Sequence, residues 1–184
     1  EVRQDEPDIN LLFAYADGYR FVNKLLGKAR EDGSYDMAPL ARAFENPPLS
    51  TEQIMHPRKY MSDAPDWPTI LTLPDLTAAL GQGWQSLHEN TLGALLTRTW
   101  LQQFGLKRVR RIHRGWDGDR FAVFAKEGQA DALVWMSTWD RDRDAREFAE
   151  AARTVLLKKH PGAALQEVRP WLWRAEKDGL AQAL

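Results

Sequence analysis

The sequence contains no cysteine in its 184 residues. This absence excludes disulfide bonds, zinc sites built on thiolates and cysteine nucleophiles. No apolar run approaches the roughly 18 residues that a membrane-spanning helix needs, so no transmembrane segment is predicted in this chain. The formal net charge of −1 gives no global field that would attract nucleic acid or anionic lipid. No nucleic-acid partner is therefore expected.

Sequence signatures of cofactor and metal sites are missing as well. The chain has no G-x-x-x-x-G-K-[ST], G-x-G-x-x-G or G-x-S-x-G pattern. The segment LHEN begins like the zinc-binding H-E-x-x-H helix, but Leu92 stands where the second histidine is required. No metal or cofactor site is predicted within this chain, although spacing leaves open a site built from distant histidines. The histidines are His56, His88, His113 and His160.

The composition that remains is that of a globular protein, with 43% hydrophobic and 28% charged residues. The length suits one domain, or one domain with a subdomain. The first part, residues 1–75, is predicted to be a helical subdomain. Helices are expected over about Ile9 to Ala29, Asp36 to Phe44 and Thr51 to His56, and a proline-rich extended crossing over Arg58 to Pro74.

The second part, residues 76–184, mixes strand and helix patterns. Strands are predicted at 83–90, 121–125 and 132–139, with the DGD sequence at 117–119 as a turn, and one last strand at 165–176. Helices are predicted at 91–104, capped by Asn90, at 106–113, and from Asp140 or Asp142 to about Lys158. The fold class is therefore α+β, with N-terminal helices followed by a small antiparallel sheet packed with two or more helices.

Two charged segments have both a functional and a structural interpretation. Asp117 and Asp119 flank Gly118 and could bind a cation, but hydrogen bonds of a turn are the favoured interpretation. The basic residues of 107–114 suit phosphate contacts, but a solvated helix face that includes His113 is favoured.

The segment PPLSTEQIMHPRKY, residues 47–60, concentrates polar side chains between prolines. Ser50 or Thr51 is predicted to cap a short helix, and Ser50 with Gln53 has capping-box spacing. His56 precedes Pro57, and Tyr60 follows four residues later. Histidine and tyrosine are side chains that donate hydrogen bonds to a developing oxyanion. The structural alternative is that both side chains serve the helix end and the core.

This segment, together with ENTLG (89–93), GWDGDR (115–120), the later VWMSTWD and DAREFAEA segments, and the initial YADGYRFVNKLL, resembles a largely uncharacterised bacterial family. The family is similar to gluzincin-type zinc metallopeptidases, and the resemblance covers about Leu12 to Ala152. It departs from the family at Ala94, where a glutamate is usual. The H-E-x-x-H helix of the family has no counterpart in this chain.

The resemblance implies that the chain is the C-terminal portion of a metallopeptidase-like hydrolase, inactive alone because its metal ligands lie upstream or are lost. Zinc is implied for full-length members, with a peptide or protein substrate and an exported or cell-envelope location. His56 or Tyr60 would stabilise the oxyanion, and Glu52 or Gln53 would orient His56 or the substrate. Whether the chain itself is an enzyme stays open.

The alternative function is a non-catalytic interaction or scaffold domain of the cell envelope. The chain has eight tryptophans, which suit either a thick core or a binding cleft. Under this alternative, four of them would form a ligand groove: Trp67, Trp84, Trp116 and Trp139.

Overall fold

The structure is a computed structural model that describes residues 9–76, 80–129, 131–159, 161–162, 164–169, 172–177 and 180–183. In these ranges the protein is α+β, as predicted, because helices precede and pack with antiparallel sheet. The chain divides into two compact units, Glu1–Pro68 and Thr69–Leu184. None of the helices in these ranges combines the length and apolarity that a membrane crossing requires.

The first unit consists of helices α1 (Ile9–Leu26), α2 (Ala38–Glu45), α3 (Thr51–Met55) and α4 (Pro57–Met61). Helix α1 ends three residues before the predicted Ala29, because Gly27 takes a left-handed φ of 68° that stops the helix. Its buried apolar side chains are Phe21 and Leu25. At the start of α2, the Asp36 carboxylate accepts the Ala38 N–H at 3.0 Å.

Helix α4 corrects the prediction that the chain is extended from Arg58 onward. Pro57 was expected only to end the preceding helix, yet it also begins the next one. Proline is tolerated in the first turn of a helix, where its missing N–H has no intrahelical partner to lose. Residues 62–76 contain no helix or strand.

The second unit contains an antiparallel sheet of β1 (Gln85–Asn90), β2 (Trp116–Ala125) and β3 (Ala132–Trp139), with β2 in the centre. Helices α5 (Gly93–Gln103) and α6 (Val109–Ile112) and a 3-10 turn (His113–Gly115) join β1 to β2, and α7 (Asp142–Lys159) follows β3. The predicted hairpin is confirmed. The predicted DGD turn is wrong, since residues 117–119 lie within β2, where a register shift occurs between Trp116 and Gly118.

The core of this unit lies between α5, α6 and α7. Its buried members are Leu101, Val109, Phe148, Ala151, Ala152 and Val155. Trp139 stacks on Phe148 with ring centroids 4.4 Å apart, and Trp116 is only 2% exposed. Both tryptophans therefore serve the interior, which removes them from the predicted groove. Trp67 belongs to the first unit and is 51% exposed, and Trp84 is half-buried.

His113 was predicted to be solvated, but it is 2% exposed. The basic segment is not one regular helix, because α6 ends at Ile112 and a 3-10 turn begins at His113. The tighter winding changes the direction of the following side chains, so the helical pattern no longer predicts which face is solvated.

A second antiparallel sheet comprises β4 (Ala164–Arg169), β5 (Leu172–Lys177) and β6 (Leu180–Ala183). The prediction of one strand over 165–176 is wrong, since β4 and β5 pair with each other. Pro170, expected to mark an edge strand, lies outside the described residues.

Candidate functional site

The predicted segment 47–60 folds around helix α3 of the first unit. Ser50 caps the helix, because its hydroxyl accepts the Gln53 N–H at 3.2 Å, as predicted. The reciprocal bond of a capping box is shifted by one residue: the side-chain oxygen Oε1 of Gln53 accepts the Leu49 N–H at 2.7 Å. The cap and its proline boundaries thus belong to the fold.

Gln53, a predicted site residue, is fully buried at 0% exposure. Its amide nitrogen donates to the backbone carbonyl of Asp66 at 2.7 Å, while its oxygen accepts from Leu49. The side chain therefore connects the start of α3 to the extended segment after α4. A buried amide with both ends bonded stabilises a loop and has no free group for a ligand.

Glu52, the second predicted orienting residue, is 2% exposed. The Lys59 ammonium lies 2.8 Å from Glu52 Oε1 and 2.7 Å from Asp66 Oδ2. Lys59 thus bridges α3 to the same segment that Gln53 holds. Burial makes such a pair costly to break, because the remaining charge would lack compensation.

His56 and Tyr60 lie at the two ends of α4, and both are half-buried. The Tyr60 hydroxyl donates to the Asn46 carbonyl at 2.5 Å, and its ring meets the ring of Phe21 edge-on at 5.3 Å. The backbone N–H of His56 donates to the Glu52 carbonyl at 2.7 Å. The structure brings the predicted residues together in one segment, but Glu52, Gln53 and Tyr60 use their polar atoms to hold the fold.

A second polar cluster, in the second unit, surrounds Asp119, which is 3% exposed. Its Oδ1 accepts the Leu92 N–H at 2.7 Å, and its Oδ2 accepts the Gly93 N–H at 2.9 Å. Asp119 therefore caps helix α5 from a neighbouring strand. The expected cap, Asn90, instead accepts the N–H of Thr91 before the helix begins.

Burial raises the pKa of Asp119, while hydrogen bonds from Trp116, Leu92 and Gly93 act in the opposite direction. The Thr91 hydroxyl also donates to the Asp119 carbonyl at 3.1 Å. The interpretation of Asp119 as a turn residue is therefore wrong. It is the centre of a buried capping arrangement.

Two glycines of GWDGDR permit close approaches in the same region. A Cβ on Gly118 would lie 2.2 Å from the carbonyl oxygen of Thr69, and a Cβ on Gly115 would lie 2.6 Å from the side chain of Asp144. Outside this packing, Arg120 pairs with Glu89 at 2.6 Å. The ENTLG and GWDGDR motifs thus meet in one structural junction.

An open cleft of about 570 Å³ lies between the segment 106–112 and helix α7. Its apolar lining comes from Leu106, Ile112 and Ala151. The polar lining carries both signs of charge and consists of Lys107, Arg108, Arg111, Arg146, Glu147, Glu150 and Thr154. This lining combines a site for an apolar group with sites for charged groups.

The cations of the cleft differ in what they contact. Arg111 makes two hydrogen bonds to Glu147, with Nε 3.0 Å from Oε2, and this carboxylate raises the pKa of the guanidinium. Lys107 and Arg108 are exposed, and neither forms an ion pair within the described ranges. These two cations are accessible to a ligand.

Arg108 also has an unusual backbone. Its φ of 60° and ψ of 22° place it in the left-handed region, and among the described residues no other non-glycine residue has a positive φ. For a residue with a Cβ this conformation costs about 1–3 kcal/mol. Such strained residues occur preferentially at functional sites, which singles out the rim of the cleft.

A zinc ion needs about four ligand atoms around one point. Within neither unit do the described residues bring three potential metal ligands within reach of one ion. His113 is buried in the second unit, His56 lies in the first, and His160 falls outside the described residues. Neither unit therefore assembles a zinc centre from its own described residues.

The chain is an α+β protein in which Asp119 caps helix α5. Residues 81–184, more than half of the chain, match the family described as Domain of unknown function (DUF8575). The chain belongs to the DUF8575 family. The matched range contains the cleft and the junction, whereas the segment 47–60 lies outside it. No curated protein and no solved structure matches the chain.

The cleft was missed by sequence reasoning, which assigned residues 107–114 to a solvated face. One signal was present: Lys107 and Arg108 have no acidic residue within four positions on either side. Helical surface cations are commonly stabilised by carboxylates at such spacing. The absence of such carboxylates favours a partner for Lys107 and Arg108 that is distant in sequence or belongs to another molecule.

Proposed function

We propose that this chain is a non-catalytic interaction module that binds a protein partner at the cleft between residues 106–112 and helix α7. The observation that carries the proposal is the pair of exposed cations, Lys107 and Arg108, beside an apolar floor. A concave site with apolar lining and a few charged groups is a typical ligand site.

The chemistry of the cleft favours binding over catalysis. Among the described residues its lining contains no serine, cysteine, histidine, tyrosine or aspartate, and the hydroxyl of its one threonine, Thr154, donates to the Glu150 backbone carbonyl at 2.9 Å. Glu147, one of its two carboxylates, is held by Arg111. Covalent or acid–base catalysis generally needs a nucleophile and a base within hydrogen-bond reach of one another. The lining provides charge and shape instead.

Blocking the cleft tests this proposal. Thr154 lies exposed on its lining, so Thr154→Trp would fill it, while Gln102→Trp adds the same side chain at an exposed helix position outside the lining. Random peptides displayed on phage would be selected on the purified wild-type chain. We expect selected peptides to lose binding to Thr154→Trp and keep binding to Gln102→Trp. Failure to select peptides, or equal binding to both variants, would overturn the proposal.

We also propose, as a second function, that the chain is the C-terminal portion of a metallopeptidase-like protein of the bacterial cell envelope. The supporting observation is that His56 is half-buried rather than buried, on a turn bounded by Pro57. The metal ligands would come from outside these 184 residues. In the longest natural form of the protein, His56→Ala should lower peptide hydrolysis at least about tenfold. Unchanged hydrolysis would remove His56 from this role.

A further inference from the structure

We infer that the ligand of the cleft is a peptide segment of a partner protein in which an Asp or Glu carboxylate stands beside an aliphatic side chain. This inference rests on the proposed binding function. It adds the chemical identity of the ligand to the location of the site.

The carboxylate follows from the charges of the cleft. Arg111 is already neutralised by Glu147, whereas Lys107 and Arg108 carry exposed positive charge without an ion pair in the part of the chain that the structure describes. A guanidinium presents parallel N–H donors that match the two oxygens of a carboxylate. A ligand carboxylate placed between Lys107 and Arg108 would form an ion pair with each of them.

The aliphatic neighbour follows from the floor of the cleft. Leu106 and Ile112 are half-buried, and Ala151 is buried beneath them. An aliphatic side chain placed against these residues would remove apolar surface from water, which favours binding. The carboxylate and the aliphatic group must be close together in the ligand, because the two cations and the apolar residues are close together in the cleft.

A peptide is favoured over a nucleic acid by two features of the same lining. Glu150, the lining carboxylate that Arg111 does not neutralise, would repel the repeated phosphates of a polyanion more strongly than the single carboxylate of a peptide. The lining residues that the structure describes also include no aromatic ring, whereas single-stranded nucleic acids are generally bound by stacking on aromatic side chains.

The backbone of Arg108 supports the assignment independently. A glycine or asparagine would occupy this left-handed position at lower steric cost. The strained backbone determines the direction in which the Arg108 side chain extends from the chain, and this side chain lines the cleft. An arginine that occupies this position in spite of the strain fits a role in binding.

The experiment uses fluorescent peptides from the phage selection and measures their affinity by polarisation. We expect the peptides to contain Asp or Glu next to Leu, Ile or Val. Replacing that acid by its amide should weaken binding about tenfold, as should Arg108→Glu or Lys107→Glu. Arg110→Glu is the matched control, because Arg110 is an exposed cation two residues after Arg108, in helix α6, but does not line the cleft. Its affinity should stay within about twofold of wild type.

The outcomes separate this inference from the proposed function. If Thr154→Trp abolished peptide binding but Arg108→Glu and Lys107→Glu did not weaken it, the carboxylate assignment would be overturned. The proposed binding function would still be supported. Peptides unaffected by Thr154→Trp, or no selected peptides, would overturn both. A single-stranded RNA that displaced the peptides from the cleft at lower concentration would also overturn the assignment. Circular dichroism of each variant would verify that it is folded.

Discussion

The indole nitrogen of Trp116 donates a hydrogen bond to the carboxylate of Asp119, three residues further along strand β2, at 2.9 Å. In a regular strand, residues three apart point to opposite faces and cannot meet in this way. The register shift between Trp116 and Gly118 marks a bulge, which turns both side chains toward the same side. The bulge therefore creates the cap of helix α5.

Asp119→Asn should destabilise the protein by about 3 kcal/mol. The carboxylate accepts hydrogen bonds from Leu92, Gly93 and Trp116 with its two oxygens. An amide keeps one accepting oxygen and turns an NH₂ group toward the remaining donors. Urea unfolding followed by tryptophan fluorescence measures the loss.

Asp117→Asn is the control for this change, because Asp117 lies in the same strand but its side chain makes no hydrogen bond within the described residues. Its free energy of unfolding should stay within about 0.5 kcal/mol of wild type. Equal losses in the two variants would contradict the capping role of Asp119.

The raised pKa of Asp119 predicts the pH dependence of its contribution. A carboxyl with a higher pKa in the folded state binds a proton more readily there than in the unfolded chain. Its contribution to the free energy of unfolding is therefore largest below the ordinary pKa of 3.8 and falls as pH rises through the folded-state pKa. We expect the stability difference between wild type and Asp119→Asn to decrease with pH over this window and then level off. A difference that rises with pH would show that the shift has the opposite sign.

Gly118→Ala and Gly18→Ala should change stability in opposite directions. The new methyl group on Gly118 would lie 2.2 Å from the Thr69 carbonyl oxygen, so the backbone must move, at a cost of about 3 kcal/mol. Gly18 lies within helix α1, and its methyl group would come no closer than 4.0 Å to Phe13 O, so alanine should stabilise the helix by about 1 kcal/mol. Differential scanning calorimetry of the two variants measures the direction of each change in stability. A tolerated Gly118→Ala would argue against the close approach.

Structural features that depend on residues close together in the chain could be predicted from the sequence. The Ser50 cap depends on a residue three positions away, and the β2–β3 hairpin depends on alternating apolar residues around a short loop. Both were predicted correctly, because local hydrogen-bonding chemistry and side-chain alternation determine them.

Features that join distant segments were not accessible. Asp119 caps a helix that begins 26 residues earlier, and the amide of Gln53 bonds a carbonyl 13 residues away. Neither partner can be found by spacing, because the chain path between them is set by tertiary packing. The same reason applies to Glu52 and Gln53: their burial and their contacts with Lys59 and Asp66 depend on tertiary packing and could not be read from spacing.

Arg108→Gly tests whether strain at the cleft is retained for binding. Glycine adopts the left-handed φ of 60° without the Cβ conflict, so the folded state should gain about 1 kcal/mol. The loss of the guanidinium should at the same time weaken the selected acidic peptides about tenfold. Thermal unfolding and fluorescence polarisation measure the two effects on the same preparation.

Arg110→Gly, two residues after Arg108 and inside helix α6, should give the opposite result. Arg110 is an interior residue of α6 that does not line the cleft, so glycine there should cost about 1 kcal/mol of stability. Peptide affinity should remain within about twofold of wild type, since no ligand contact is removed. Stability and affinity thus move in opposite directions at Arg108, whereas only stability moves at Arg110. If Arg108→Gly raised the melting temperature without weakening the peptides, the strained backbone would have no connection to binding, and the guanidinium would not be part of the ligand site.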